Sequence, residues 1–257
     1  MIDIVVVGYP KSGTTWVAQL VAELVGCPVV GFWNSDHDEI ACEGLDRESE
    51  FRCFKSHHQL GEIRSGARPC ETAVIYAIRD PRDIAVSAAH YFGVTRWPSL
   101  ASAFCPTLRR MYRAVVAKVA PPSIGYRVDR MVDAVLYGSK HIHHWMRVPW
   151  KAHYEPFVAG RRFWLRYEDL LAEPVRQCSR ILSHLEFDVS RREISAAVKN
   201  QSFHTRRESA LRRGDVRRTR HLRAGTSGQW REHLTARQRG RFREVLAEDL
   251  EYFGYPL

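Results

Sequence analysis

A lysine and three aliphatic hydroxyls lie between residues 8 and 15, beside two glycines. Lys11 supplies a cation, and Ser12, Thr14 and Thr15 supply hydrogen-bond donors. A tight loop that opens into a helix adds backbone N–H groups and the positive end of the helix dipole, both of which favour an anion. The spacing of these residues therefore predicts a phosphate-binding loop.

Two elements must position this loop. Residues 4–7 form a β-branched apolar run, which is typical of a buried parallel strand. Val17, Leu20, Val21 and Leu24 then follow at helical spacing. The sequence predicts a strand, a glycine-bearing loop and a helix whose N-terminus faces the bound phosphate.

The loop departs from the nucleoside-triphosphate pattern G-x-x-x-x-G-K-[ST]. Gly8 and Gly13 have the required separation, but Thr14 stands at the lysine position and the lysine is displaced to Lys11. The best candidate for a metal-holding strand, residues 73–78, runs into Arg-Asp-Pro. These departures argue against a magnesium-dependent P-loop kinase of small molecules, which is kept as the alternative function.

Residues 9–16 read Y-P-K-S-G-T-T-W. This segment resembles in full the loop of sulfotransferases that use 3′-phosphoadenosine 5′-phosphosulfate (PAPS). The resemblance implies an α/β fold of the P-loop type, with a parallel central sheet flanked by helices on both faces, in one domain over residues 1–257. It also implies PAPS as co-substrate, 3′-phosphoadenosine 5′-phosphate (PAP) as product, and no metal. The cofactor residues implied in this segment are Lys11, Ser12, Gly13, Thr14, Thr15 and Trp16, the last of them stacked on adenine.

Two further segments are similar to the same family and occur in the expected order. After a predicted strand at residues 74–77, the chain matches R-x-x-x-D-x-x-x-S, which implies that Arg79 and Ser87 hold the 3′-phosphate. Pro81 in this segment suits the first turn of a helix. Later, L-x-x-x-Y-E-D-L-x-x-x-P is similar to the sequence from Phe163 to Pro174, and it implies Tyr167 at the adenine end of the cofactor.

A glycine-rich segment near the C-terminus resembles the family pattern R-K-G-x-x-G-x-W, which closes over the same phosphate. Arg223, Gly225, Gly228 and Trp230 match this pattern, and Arg223 and Gly225 are implied to bind the cofactor. Ala224 stands where the family has lysine, so one cation is missing. The candidates to replace its charge are Arg217, Arg218 and Arg220.

A histidine pair follows a short strand-like run at residues 51–56. Functional residues of open α/β sheets gather at such strand ends. The family pattern K-T-H fits Lys55-Ser56-His57, which implies His57 as the general base and Lys55 as a neighbouring cation. A histidine titrates near neutral pH and can accept a proton from an attacking hydroxyl. If the register slips by one residue, His58 is the base instead.

The implied reaction moves a sulfuryl group to a hydroxyl of a small molecule such as a phenol, a sugar or a natural product. Charge grows on the leaving phosphate, and Lys11 with the loop N–H groups is placed to neutralise it. A third possibility is a binding protein that kept the phosphate loop without the chemistry; the presence of both Lys11 and His57 argues against it. The acceptor is not specified, because acceptor pockets are built from variable loops such as residues 93–106.

Composition agrees with one globular α/β domain: 257 residues, of which 45% are hydrophobic. The net charge of +10 is interpreted as a cleft for an anionic cofactor or substrate and not as a nucleic-acid surface. No apolar run is long enough to span a bilayer, and the N-terminus enters a strand without a signal peptide, so a cytoplasmic location is predicted. The cysteines show no C-x-x-C pair and are expected to be reduced.

Two features leave questions open. The family's dimer pattern is poorly matched by residues 231–240, so the oligomeric state is not predicted. His141, His143 and His144 lie in a segment with a helical pattern, where their spacing would spread the rings around the helix and disfavour zinc binding.

Overall fold

The computed structural model describes residues 1–34, 41–65, 72–92, 122–221 and 225–257. The strands in these ranges are β1 (Ile2–Val7), β2 (Val29–Phe32), β3 (Phe51–Ser56), β4 (Thr72–Ile78) and β5 (Phe163–Arg166). The helices are α1 (Thr14–Leu24), α2 (Leu60–Ser65), α3 (Pro81–Tyr91), α4 (Ile124–Tyr137), α5 (Trp150–Ala159), α6 (Tyr167–Ala172), α7 (Pro174–His184), α8 (Arg191–Asn200), α9 (Phe203–Arg212), α10 (Val216–His221), α11 (Trp230–His233) and α12 (Ala236–Tyr252). The chain groups into two compact units, Met1–Arg79 with Ala152–Ser227 and Asp80–Lys151 with Gly228–Leu257.

The first unit contains a parallel sheet in the order β2-β3-β1-β4-β5. β1 lies at its centre, and all four residues from Ile4 to Val7 are completely buried. Their β-branched side chains suit a strand that is covered on both faces. The carboxyl ends of β1 and β3 therefore lie side by side, which brings the loop after Val7 next to the residues that follow Ser56.

Helices cover both faces of this sheet. Ile4 and Val6 point to the face where α1, α7 and α8 contribute to one hydrophobic core. Val7 is paired with Tyr76 of β4 and so points to the opposite face, where Phe157 of α5 packs on the Tyr76 ring at 4.6 Å between centroids. The predicted parallel sheet flanked by helices is confirmed.

The second unit is helical, with α4 packed on both α3 and α12. α3 begins at Pro81, as predicted, and the Asp80 side chain caps it by accepting the Arg82 N–H at 2.9 Å. The inner faces of α4 and α12 place Met131 and Phe242, both completely buried, in its core. The assignment of residues 1–257 to one domain stays a prediction.

The helix predicted around His141 to His144 is wrong. α4 ends at Tyr137, and its cap residue Gly138 takes a positive φ of 79° that other residues rarely adopt. The Ser139 N–H then donates to the Met146 carbonyl at 2.7 Å, so the segment folds back on itself. Only a single 3₁₀ turn, His144–Met146, forms there.

Candidate active site

The loop between β1 and α1 has a strained backbone. Lys11 has a φ of 73° and Gly13 a φ of 87°, both in the left-handed region. For a lysine this conformation costs about 1–2 kcal/mol, and such strain is found mainly at functional sites. Gly8 allows a close approach to β4, because a Cβ there would lie 2.6 Å from the Ala77 carbonyl oxygen.

The geometry of this loop fits a phosphate. α1 starts at Thr14, and its cap residue Gly13 offers no side chain to cap the first N–H groups of the helix. The Ser12 Oγ is completely buried and has no hydrogen-bond partner among the described residues. Thr14 and Thr15 are also buried at the same helix end. A buried hydroxyl and several N–H donors at a helix N-terminus form an anion site.

Arg79 connects the loop to its neighbours. Its Nη1 donates to the Lys11 carbonyl at 3.1 Å and its Nη2 to the Thr226 carbonyl at 3.0 Å. The guanidinium carbon lies 4.4 Å from the centroid of the Tyr167 ring, which packs in turn against Gly13. Its buried Nε has no hydrogen-bond partner within the described part of the chain. The structure thus brings Arg79 and Tyr167 to the loop, and their parts in cofactor binding stay predictions.

Trp16 lies in the first turn of α1, and its ring contacts that of Tyr167. The two ring centroids are 5.6 Å apart and the planes are nearly perpendicular, at 77°. The Trp16 Nε1 donates to the Gln201 carbonyl at 2.7 Å, which fixes the indole ring. Gly225 has a φ of 65°, and a Cβ at this position would overlap the Phe203 ring. An aromatic surface therefore borders the loop.

The end of the glycine-rich segment is held by Asp83 of α3. Its two carboxylate oxygens accept the Gly228 N–H at 2.6 Å and the Trp230 N–H at 2.9 Å. The Arg82 guanidinium lies 3.8 Å from the Trp230 ring centroid. Ser87 lies further along α3, and its predicted part in cofactor binding stays a prediction. Arg223 and Ala224 fall outside the described residues.

His57 and His58 are tethered differently after β3. The His57 Nδ1 lies 2.6 Å from the Gly8 carbonyl oxygen, at the start of the phosphate loop. The His58 Nδ1 instead lies 2.9 Å from the Ser56 Oγ, which also accepts the His58 backbone N–H. Lys55 is 7% exposed, and its ammonium lies 5.7 Å from the Phe32 ring centroid. His57 is thus anchored to the loop that carries Lys11, and His58 to the last residue of β3.

A family model described as a sulfotransferase domain matches residues 1–254. This chain belongs to the sulfotransferase domain family. Human sulfotransferase 2A1 is 26% identical over 267 residues, which cover 96% of this chain and 84% of the relative. Mouse sulfotransferase SULT7A1, solved with PAP, has a TM-score of 0.65 at 20% identity, over 97% of this chain and 84% of its own. A retinol dehydratase in complex with androsterone and the inactive cofactor PAP has a TM-score of 0.61 at 17% identity, over 96% and 80% of the two chains.

The predicted class, a PAPS-dependent sulfotransferase, is confirmed, and the kinase alternative is not favoured. Three structural roles in this sulfotransferase were not predicted: that of Asp83, which holds Gly228 and Trp230, and those of Gln201 and Phe203, which contact Trp16 and Gly225. Asp83 occupies the aspartate position of R-x-x-x-D-x-x-x-S, so a signal for it was available. Gln201 and Phe203 lie beyond α8 in no recognised motif, and only the folded chain brings them to Trp16 and Gly225.

The second histidine group, after α4, forms aromatic contacts. The His143 ring lies 4.3 Å from that of His144 and 5.0 Å from that of Phe92. Burial first, and the neighbouring His144 second, lower the pKa of His143 to about 4. Across the described ranges, no three His, Cys, Asp or Glu side chains are arranged to hold a metal ion. No helix in those ranges combines the length and apolarity that crossing a bilayer requires.

Proposed function

We propose that this sulfotransferase moves a sulfuryl group from PAPS to a hydroxyl of a small molecule, with His57 as general base and with Lys11 and Lys55 as stabilising cations. The hydrogen bond between the His57 Nδ1 and the Gly8 carbonyl carries the proposal. A carbonyl oxygen only accepts, so Nδ1 holds the proton of the neutral ring and the lone pair lies on Nε2. The base is thereby fixed to the first residue of the loop that bears Lys11.

The residues present suit the cofactor. The Ser12 hydroxyl and the N–H groups around Thr14 and Thr15 would hold the 5′-phosphate, since phosphate oxygens satisfy donors that have no acceptor within the helix. The buried Arg79 would add charge, and Trp16 and Tyr167 an apolar surface for adenine. Assignments of Ser87 and Arg223 to the 3′-phosphate are made on the resemblance.

The bond changes define what the protein must supply. The acceptor oxygen bonds to sulfur, the bond from sulfur to the bridging oxygen of PAPS breaks, and PAP leaves with the bonding electrons. His57 Nε2 takes the hydroxyl proton, which raises the charge on the attacking oxygen. Lys11 and the loop N–H groups stabilise the negative charge that grows on the leaving phosphate. Most of the acceleration would come from such positioning and charge.

His58 is the competing base. Its Nδ1 is engaged by the Ser56 hydroxyl, which is completely buried. If His58 acted as the base, its tether would be Ser56 on its own strand and not the phosphate loop. The two histidines therefore make different predictions for substitution, because His57 is bonded to the phosphate loop and His58 to Ser56.

The cofactor site is tested by calorimetric titration with PAP in the presence of EDTA, with ATP and adenosine 5′-phosphate as comparisons. We expect metal-independent binding of PAP that weakens when the 3′-phosphate is absent. Magnesium-dependent binding of ATP, with none of PAP, would overturn the cofactor assignment.

The base is tested after a screen with radiolabelled PAPS against phenols, sugars, alcohols and amines. With the best acceptor, His57→Ala should lower kcat by about 10²–10⁴-fold while PAP affinity is retained. His58→Ala is the matched control and should keep most of the activity. The reverse result would move the base to His58, and transfer only to amines would reject the hydroxyl acceptor.

A further inference from the structure

A third histidine, His153, is far from His57 and His58 in sequence and contacts the His57 backbone. His153 lies on α5 and is 1% exposed. Its Nε2 is 3.0 Å from the His57 backbone carbonyl, and its Nδ1 is 2.8 Å from the Tyr76 hydroxyl on β4. These contacts join a helix, a strand and the segment that carries the base.

The direction of each hydrogen bond follows from its partners. The His57 carbonyl can only accept, so the His153 Nε2 must carry a proton. In a neutral ring the Nδ1 is then an acceptor, and the Tyr76 hydroxyl donates to it. Burial lowers the pKa of His153 to about 4 and raises that of Tyr76 well above its usual value, so both are neutral near pH 7. Tyr76, His153 and the His57 carbonyl form a fully satisfied polar chain.

The surroundings of this chain are apolar. The Phe157 ring lies 4.6 Å from that of Tyr76 and 6.1 Å from that of His153. Tyr9, the first residue of the Y-P-K-S-G-T-T-W loop segment, places its ring perpendicular to His153, with centroids 5.6 Å apart. Polar groups in such a place cost free energy unless they are bonded, and an aliphatic side chain would fill the space without that cost. His153 therefore contacts both Tyr9 of the loop segment and the base residue His57.

We propose that His153, oriented by Tyr76, is a positioning residue that holds the backbone of His57 and so directs its Nε2 toward the acceptor. His57 is held at two points: its carbonyl by His153 and its Nδ1 by the Gly8 carbonyl. With both fixed, rotation of the ring is restricted. The inference rests on the proposed role of His57 as base and adds the device that orients it.

The kinetic test compares three substitutions with a packing control. His153→Leu removes both polar contacts and should lower kcat by about 10- to 100-fold, as changes behind a functional histidine commonly do. Tyr76→Phe removes one neutral hydrogen bond and should lower kcat by about 2- to 10-fold. His153→Gln keeps an N–H donor and should recover most of the loss. Phe157→Leu, which disturbs the same layer but removes none of the hydrogen bonds of the polar chain, should leave kcat near that of the unmodified enzyme.

A purely structural role would predict a different pattern. In that case the loss of activity would follow thermal stability across all four variants, and KM for PAPS would change with kcat. We expect KM for PAPS and PAP affinity to stay constant while kcat falls. Equal kcat in His153→Leu and Phe157→Leu at saturating substrates would overturn the proposal, and Tyr76→Phe provides the same test if His153→Leu does not fold.

A spectroscopic test separates this proposal from the assignment of the base. Ring ¹⁵N spectra of histidine-labelled enzyme bound to PAP distinguish protonated from unprotonated nitrogens, and His57→Gln identifies the His57 signals. We expect one tautomer, protonated at Nδ1, in the unmodified enzyme and a mixture in His153→Leu. Unchanged His57 signals in His153→Leu would overturn the positioning role. Changed signals together with full activity of His57→Ala would instead sustain the positioning role and reject His57 as base.

Discussion

The phosphate loop and the base segment lie at the ends of neighbouring strands, yet they are built by different means. The loop, residues 8–15, relies on its backbone: positive φ at Lys11 and Gly13, helix N–H groups, and close approach at Gly8. The base segment relies on side chains, because His57 is held by Gly8 and by the buried chain through His153. A site made from backbone is specified by a contiguous motif, whereas one made from side chains is specified only by the fold.

The largest expected effect is on the loop side. Lys11→Gly should lower kcat by about 10²–10³-fold, because the variant lacks the cation that stabilises the negative charge on the leaving phosphate. The same change should raise the free energy of unfolding of the free enzyme by about 1 kcal/mol, because glycine adopts a φ of 73° without strain. Steady-state kinetics and urea unfolding measure the two effects.

Lys11→Arg is the control, since it keeps a positive charge in the same strained conformation and should retain more activity than Lys11→Gly. A fall of less than tenfold in Lys11→Gly would contradict the role of this side chain. A lower free energy of unfolding in Lys11→Gly would contradict the claim that the Lys11 backbone is strained.

The second effect belongs to the base side and concerns pH. His153 has a pKa near 4 in the folded chain, because it is buried, against the ordinary 6.5. Above pH 6.5 both states are neutral, so its contribution to stability is complete. Below pH 6.5 His153 binds a proton in the unfolded chain but not in the folded chain, so the free energy of unfolding falls until about pH 4. This interval corresponds to about 3 kcal/mol.

Urea unfolding of the unmodified enzyme and of His153→Gln, between pH 7.5 and pH 4, measures this contribution. The variant should lose less stability over the interval, because glutamine does not titrate. Glu62 and His58, which also act on His153 electrostatically, remain in both proteins and cancel in the comparison. Parallel curves for the two proteins would show that His153 is not buried as described.

The same contrast explains what the sequence could predict. Residues 9–16 are contiguous, and their conformation depends on glycines and a helix end, so the motif indicated the loop, the cofactor and the strand before it. Arg79 and Tyr167 were also recognised, because each has its own local pattern. The hydrogen bonds behind His57 join residues that are far apart in sequence: Tyr76 and His153 are 77 positions apart, and His57 and His153 are 96. His153 lies on an apolar helix face that resembles ordinary core.

The incorrect helix at residues 141–144 teaches a related point. The sequence there has a helical pattern, but Gly138 ends α4 with a positive φ, and a hydrogen bond from the Ser139 N–H to the Met146 carbonyl closes the turn. One backbone conformation overrode the periodicity. Glycine position was therefore more informative than pattern at this site, as it was in the phosphate loop.

The third effect tests how the loop is fixed. Gly13→Ala should lower the free energy of unfolding by about 2 kcal/mol or more, because a Cβ would lie 2.6 Å from the Tyr167 ring in addition to the strain of a φ of 87°. Gly26→Ala is a matched control, since Gly26 has a φ of 66° and nothing within 4 Å of its Cβ position. It should cost only the strain, about 1 kcal/mol. Equal losses in the two variants would show that Tyr167 does not hold the loop.

The smallest effect, and the one whose sign is most informative, concerns Ser12. Its Oγ is completely buried and has no hydrogen-bond partner among the described residues, so in the absence of ligand the hydroxyl is destabilising. Ser12→Ala should therefore stabilise the free enzyme by about 1 kcal/mol and weaken PAP binding about tenfold, because a hydrogen bond to a charged oxygen is lost. Thermal unfolding with and without PAP measures both, and Ser12→Cys controls for volume. A less stable free enzyme with unchanged PAP affinity would mean that the hydroxyl serves the fold and not the phosphate, and the loop would then bind its ligand through backbone groups alone.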